Sequence, residues 1–214
     1  MATTSDLLAI AVKQLGISES PPSSNNVRYN TWYYGREVRG TGYPWCMVFC
    51  QWVFAQAGVT LPVRTASCGA LMYAAEKAGK WVRSGFMPGD LVIYNFPGGA
   101  ATDHCGIVES VTESGIVAIE GNTGSGNDAD GGQVQRRERP YKYILGAFRP
   151  DFEEEQKEDD MRYNTVAECP SWAQKTIQKL IDKGYLSGDG KNLDLSHDMV
   201  RMFVINDRAG MYGK

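Results

Sequence analysis

The sequence predicts an α+β fold followed by a small helical appendage, and three observations carry that prediction. In the first third of the chain apolar residues recur at helical spacing, and between 90 and 148 short β-branched runs alternate with turn residues. An acidic segment at 151–160 then separates a last part that returns to helical spacing.

Leu7, Leu8, Ala11, Val12 and Leu15 form the first helical stripe, with Ser5 or Asp6 expected as its cap. The next helix opens in YPWCMVFCQWV, residues 43–53. Pro44 suits a helix start, where its missing N–H would be unpaired anyway. From Cys46 onward Phe49, Cys50, Val53 and Ala57 define an inward face, and Gly58 stops the helix. Cys46 therefore lies in a first turn, where backbone N–H groups carry partial positive charge and favour the thiolate. That makes Cys46 a candidate nucleophile. Cys50, one turn later on the packed side, reads as core.

Strands are expected near 90–95, 104–111, 115–121, 133–139 and 144–148. The first follows turn chemistry at Met87-Pro88-Gly89-Asp90. His104 and His197 are the two histidines, and His104 opens the run HCGIVESV. In the following run, GIVAIEGN, the residues Ile116, Ala118, Glu120 and Asn122 share one face by strand alternation. An antiparallel hairpin would bring His104 close to the 120–122 end. A nucleophile, a base and an orienting group then follow as Cys46, His104 and either Glu120 or Asn122. Arg136, Arg137 and Arg139 read as a solvated edge strand. The glycine-rich TGSGNDADGG before them fits neither a phosphate loop nor an EF-hand, and reads as a flexible loop beside the groove.

Taken together and in order, PWCMVFCQWV, GDLVIYN, DHCGIVESV and AIEGNTG resemble a CHAP domain, the cysteine, histidine-dependent amidohydrolase/peptidase module of phage endolysins and bacterial wall hydrolases. The resemblance covers roughly the first two-thirds of the chain. It implies a papain-like core of N-terminal helices on an antiparallel sheet, with Cys46 as nucleophile, His104 as general base, Glu120 as orienting residue and Asn122 as an auxiliary polar group. Tyr43, Trp45 and Trp32 are candidate walls of a substrate groove, each also a candidate core residue. Some CHAP domains carry an aspartate-rich calcium loop before the cysteine; here that region reads REVRGTG, without aspartates, so calcium is not expected. A zinc site of Cys46, Cys50, His104 and Cys105 is disfavoured, because it lacks a tight C-x2-C pair and because His104 and Cys105 should point to opposite faces of one strand. No cofactor is expected.

Composition bounds the rest. No apolar run of about 18 residues is present, so no membrane span is expected. The N-terminus lacks a basic start and its apolar stretch is broken by Lys13 and Gln14, so it does not read as a signal peptide. Five cysteines without framework spacing point to reduced thiols and synthesis in the host cytoplasm, with release to the wall by other means. The net charge of −3 is set by DFEEEQKEDD at 151–160, with seven acids and one lysine, and nothing in the chain forms a nucleic-acid patch.

The expected organisation is a catalytic domain at 1–150, an acidic linker at 151–160 and a helical domain at 161–214. In the last part Ser171 is the expected cap of a helix with Trp172, Thr176, Ile177, Leu180 and Ile181 as its stripe, closed by Lys183-Gly184. Ser196 is the expected cap of a second, running from Asp198 to Asp207, with Met199, Met202, Phe203 and Ile205 apolar. This unit resembles a single S-layer-homology repeat, although SHDM stands where that family has threonine-arginine-alanine-glutamate. Its core is marginal for its length, so self-association or docking would supply the missing burial. The resemblances together imply a phage endolysin cutting amide bonds of peptidoglycan, as an N-acetylmuramoyl-L-alanine amidase in the first instance. The alternatives are an endopeptidase of the stem or crossbridge and a non-catalytic wall-binding protein.

Overall fold

The computed structural model describes residues 2–97, 101–126, 128–153 and 161–213. The chain divides into two compact units, Met1–Glu154 and Glu155–Lys214.

The first unit is α+β. Its helices are α1 (Thr4–Val12), α2 (Arg28–Tyr34), α3 (Cys46–Gln56) and α4 (Cys68–Lys77). Its strands are β1 (Trp81–Val82), β2 (Leu91–Tyr94), β3 (His104–Val111), β4 (Gly115–Thr123), β5 (Gln133–Pro140) and β6 (Ile144–Phe148). They form one sheet in the order β1-β6-β2-β3-β4-β5, with every neighbouring pair antiparallel. The five expected strand segments are all present, and β1 is an addition too short to carry a periodic signal.

Alternation along the strands sorts two cores. Leu91, Ile93, Cys105, Ile107 and Ile119 face one side and pack with buried residues of α1, α3 and α4, among them Leu7, Phe49, Val53 and Leu71. Val92, Tyr94, Val108, Ile116 and Ala118 face the other and pack with Phe86 and Ala147. The turn before β2 forms as its sequence requires: Gly89 has φ +89°, the N–H of Asp90 donates to the Met87 carbonyl, and the Asp90 carboxylate accepts from Met87 N–H and from Arg149. At α1 the cap is Thr3 rather than Ser5 or Asp6. Its hydroxyl accepts from Asp6 N–H while the Asp6 carboxylate accepts from Thr3 N–H, a reciprocal capping box.

Packing of the first unit continues past residue 150, since Phe152 joins the main core and Glu153 N–H donates to the Ala2 carbonyl. Most of the expected acidic linker, residues 154–160, lies outside the described residues.

The second unit contains a two-stranded antiparallel ribbon, β7 (Arg162–Tyr163) with β8 (Leu195–Ser196), and two helices, α5 (Ser171–Asp182) and α6 (His197–Arg208). Its core is Tyr163, Cys169, Ala173, Ile177, Leu195, Val200 and Val204. Ser196 caps α6 by accepting from Met199 N–H, as expected, whereas the N-cap of α5 is Pro170, not Ser171. The buried stripes also differ from those read in the sequence. Trp172 is 45% exposed, and α5 buries Ala173, Thr176, Ile177 and Leu180. On α6 the inward residues are His197, Val200 and Val204, leaving Met199, Met202 and Ile205 exposed. Mixed apolar residues around α6 make several stripes readable, and the inward one carries His197, whose Nδ1 lies 2.7 Å from the Tyr163 hydroxyl.

Candidate active site

Cys46 is the first residue of α3, and the N-cap residue Trp45 supplies no side-chain hydrogen bond to the helix start. The first N–H groups of an uncapped helix are anion-binding groups in waiting. Close approach to β4 sets the position of this end. A Cβ on Gly121 would lie 2.5 Å from the Phe49 Cβ and 2.9 Å from Trp45 Cζ3, so glycine there lets α3 rest on the strand backbone.

His104 begins β3 and is wholly buried. Its ring stacks on Tyr94 with centroids 6.0 Å apart and tilts against Phe96 at 6.2 Å. Nε2 stands 3.2 Å from Glu120 Oε2. Neither ring nitrogen completes a well-aligned hydrogen bond among the described residues, a common state of catalytic groups before substrate binds. Glu120 reaches His104 because position 106 is glycine: a Cβ there would lie 2.6 Å from the Glu120 Cγ.

Glu120 is gripped from its other side by Arg139, whose Nε donates to Oε1 at 2.9 Å and whose guanidinium donates to Oε2 at 2.6 Å. Arg139 is 5% exposed and lies over the rings of Phe96 and Tyr94, at 4.8 and 5.5 Å from their centroids. It also pairs with Asp128 at 2.9 Å. The solvated-strand reading therefore fails at Arg139, which alternates with exposed neighbours and turns into the site. The loop before β5 is likewise anchored, with Asp128 held by Arg137 and Arg139 and its carbonyl accepting from Thr123 Oγ1.

Three sulfurs meet at the thiol. The Sγ atoms of Cys46, Cys68 and Cys105 all lie within 4.8 Å of one another. Cys68 is the first residue of α4, and Cys50 Sγ lies 3.8 Å from Cys105 Sγ. All five cysteines of the chain are free and buried, and Cys46 is 6% exposed.

The electrostatics follow from these contacts. Hydrogen bonds from Cys105 and then Cys68 hold the Cys46 thiol well below its ordinary range; burial opposes them, and His104 adds a hydrogen bond and its charge. Burial and then Cys46 push the Cys105 thiol well above its ordinary range; against a hydrogen bond from Cys105, Cys46 and burial do the same to Cys68. Burial acts to lower His104, but contact with Cys46 and Glu120 outweighs it and pushes the imidazole up to about 10. Burial likewise opposes ionisation of Glu120, and Arg139 followed by His104 reverses that and keeps it a carboxylate. These shifts run in the direction of a thiolate beside an imidazolium, backed by a buried carboxylate–guanidinium pair.

Of the residues singled out in the sequence, Cys46, His104 and Glu120 come together. Asn122 is turned elsewhere: its amide donates to Asp130 Oδ1 and accepts from Gly132 N–H. A register shift after Glu120 and a φ of +59° at Asn122 break the two-residue alternation that would have aligned it with Glu120. Trp45 is fully buried and stacks on Tyr29 at 5.6 Å, so it is core and not a groove wall. Trp32 is 38% exposed beside the Arg64 guanidinium, and Tyr43 is half-buried with its ring edge-on to Tyr34. Sequence reading missed Cys68 and Arg139. The available signals were a second cysteine behind a capping serine, Ser67, and an arginine in phase with Gln135 on the strand.

Residues 38–122 match the model of the CHAP domain. No curated protein matches the chain. Among solved structures, the chain is similar to the crystal structure of a wild-type endolysin, LysIME-EF1, with TM-score 0.47 and 14% identity over 72% of this chain and 66% of that one. It is also similar to the crystal structure of Ly7917, with TM-score 0.41 and 15% identity over 69% of this chain and 62% of that one. The similarity thus spans just under two thirds of each of those chains.

Proposed function

We infer that this chain, whose residues 38–122 form a CHAP domain, is a cysteine-dependent peptidoglycan hydrolase acting as an endolysin. The observation that carries the reading is the buried line Cys46, His104, Glu120, with Nε2 of the imidazole 3.2 Å from the carboxylate and the thiol at an uncapped helix start.

In this reading the Cys46 thiolate attacks an amide carbonyl carbon of the wall. With Nε2 facing the Glu120 carboxylate at 3.2 Å, Nδ1 of His104 is the nitrogen that serves the thiol and then the leaving group. Backbone N–H groups at the start of α3 hold the tetrahedral oxyanion. The imidazolium gives its proton to the departing amine as the C–N bond breaks, leaving a thioester on Cys46. Water, deprotonated by the now neutral His104, attacks the thioester and restores the thiolate. Glu120 keeps the ring oriented and stabilises its cation, and Arg139 keeps Glu120 ionised.

Our finer assignment is cleavage of the N-acetylmuramoyl-L-alanine amide by the first domain, 1–150. The 161–214 domain serves as a wall-polymer-binding or self-association module, on its resemblance to an S-layer-homology repeat. Mass spectrometry of fragments released from purified peptidoglycan, wild type against Cys46→Ala, tests both levels. Free stem peptides with intact glycan, released by the wild type alone, support the amidase. Muropeptides with cut stems or bridges would replace it with an endopeptidase. No release by either protein would remove catalysis altogether.

A further inference from the structure

The mechanism above uses one thiol, yet three sulfurs converge at the site. Cys46 comes from the start of α3, Cys68 from the start of α4 and Cys105 from β3, so the cluster is assembled by three separate elements. All three residues are buried, and each Sγ lies within 4.8 Å of the other two. Thiolates around a tetrahedral ion at a metal–sulfur distance of about 2.3 Å stand roughly 3.8 Å from one another. The observed triangle is therefore within about 1 Å of a three-thiolate coordination set.

From this arrangement we propose that Cys46, Cys68 and Cys105 form a binding site for a soft d10 cation, Zn2+ or Cd2+, which closes over the nucleophile and holds the enzyme inactive until it is removed. Sulfur ligands select such ions over Mg2+ and Ca2+, which prefer oxygen. Binding forms three metal–sulfur bonds and releases the S–H protons of Cys68 and Cys105, Cys46 entering as its thiolate. No oxidant or reductant is needed. Cys46 and Cys68 are the first residues of their helices, where the helix dipole favours thiolate charge. The sequence pointed away from a metal because no C-x2-C pair is present and His104 and Cys105 face opposite ways; the observed cluster leaves out His104 and takes Cys68 from a separate helix. The site stands on the sulfur positions alone, whereas its consequence for hydrolysis rests on the reading of Cys46 as nucleophile.

The test is titration of the reduced, full-length chain with Cd2+, followed by the ultraviolet thiolate-to-cadmium charge-transfer band. The expected result is one ion per chain, with affinity reduced at least about tenfold in Cys68→Ser and in Cys105→Ser. Cys169→Ser, in the second unit, should bind as the wild type does. Circular dichroism identifies any variant that fails to fold, and Cys68→Ala then replaces it. Absence of the band in the wild type, or equal affinity in the folded Cys68 and Cys105 variants, would overturn the proposal. The band is read without substrate. A chain that binds cadmium but never cuts wall would sink the hydrolase and leave the site standing.

Discussion

Glu120 and Arg139 form a bidentate ion pair, at 2.9 and 2.6 Å, between side chains withdrawn from solvent. The pair holds Glu120 as a carboxylate beside His104. A buried carboxylate facing an imidazole alone would tend to take up a proton, and a neutral Glu120 could no longer hold an imidazolium. Its removal also has a characteristic asymmetry, because deleting one partner strands the other charge in the interior.

Arg139→Met is accordingly expected to destabilise the first unit by about 3–5 kcal/mol, measured by urea unfolding. The double variant Arg139→Met/Glu120→Gln should be more stable than Arg139→Met, since the stranded charge has gone. A single variant within about 0.5 kcal/mol of wild type would mean that the pair is not buried in solution.

The pH response follows from His104. Its value of about 10 lies above the ordinary 6.5, so the stability it contributes is fully present below about 6.5 and is lost as pH rises through about 10. For turnover, the same deprotonation removes the acid that the leaving amine needs. The alkaline limb of kcat/KM, recorded with a chelator present, is expected near 10 in the wild type. In Glu120→Gln it should move to lower pH, because one of the two groups that raise His104 has been neutralised. An unmoved limb would assign it to another group.

Gly121 and Gly106 make separable predictions. Alanine at 121 would press on Phe49 in the core, and overpacking of this kind costs about 1–3 kcal/mol. Alanine at 106 would push on the Glu120 side chain instead. Gly106→Ala should therefore reduce kcat more than KM and lower the alkaline limb as Glu120→Gln does. Gly121→Ala should appear chiefly in thermal unfolding, and a reversed pattern would contradict the packing described here.

What the sequence made legible divides along physical lines. The helix bearing Cys46 and the β3–β4 hairpin depend on local spacing and turn chemistry, and each formed where its pattern lies. The hairpin brought His104 to the 120–122 end, where Glu120 and Asn122 both remained candidates, and the CHAP resemblance selected Glu120. Asn122 is turned elsewhere, since one left-handed residue and a register shift undo strand alternation without changing composition. Arg139 was hidden because its burial depends on Glu120 and Asp128, both distant in the chain. Cys68 was hidden because the meeting of two helix starts is a tertiary fact. On α6 several apolar stripes fit the sequence; the one that faces in runs through His197, Val200 and Val204, with Phe203 of the expected stripe packed beside it.

Cys68 and Cys105 both lie against the Cys46 sulfur. Cys46 owes its low pKa first to hydrogen bonds from Cys105 and Cys68, ahead of His104. Removing either donor withdraws stabilisation from the thiolate alone, so the pKa of Cys46 should rise. The pH dependence of iodoacetamide alkylation at Cys46, followed by mass spectrometry with a chelator present, reads this directly. In the wild type the rate should begin to climb well below the ordinary thiol range, and in Cys105→Ala or Cys68→Ala the climb should shift to higher pH. His104 still contributes in these variants, so the shift should be smaller than in His104→Ala/Cys105→Ala. Superimposable profiles for wild type and both single variants would show that the imidazole alone sets the thiolate, and that the neighbouring sulfurs only fill space.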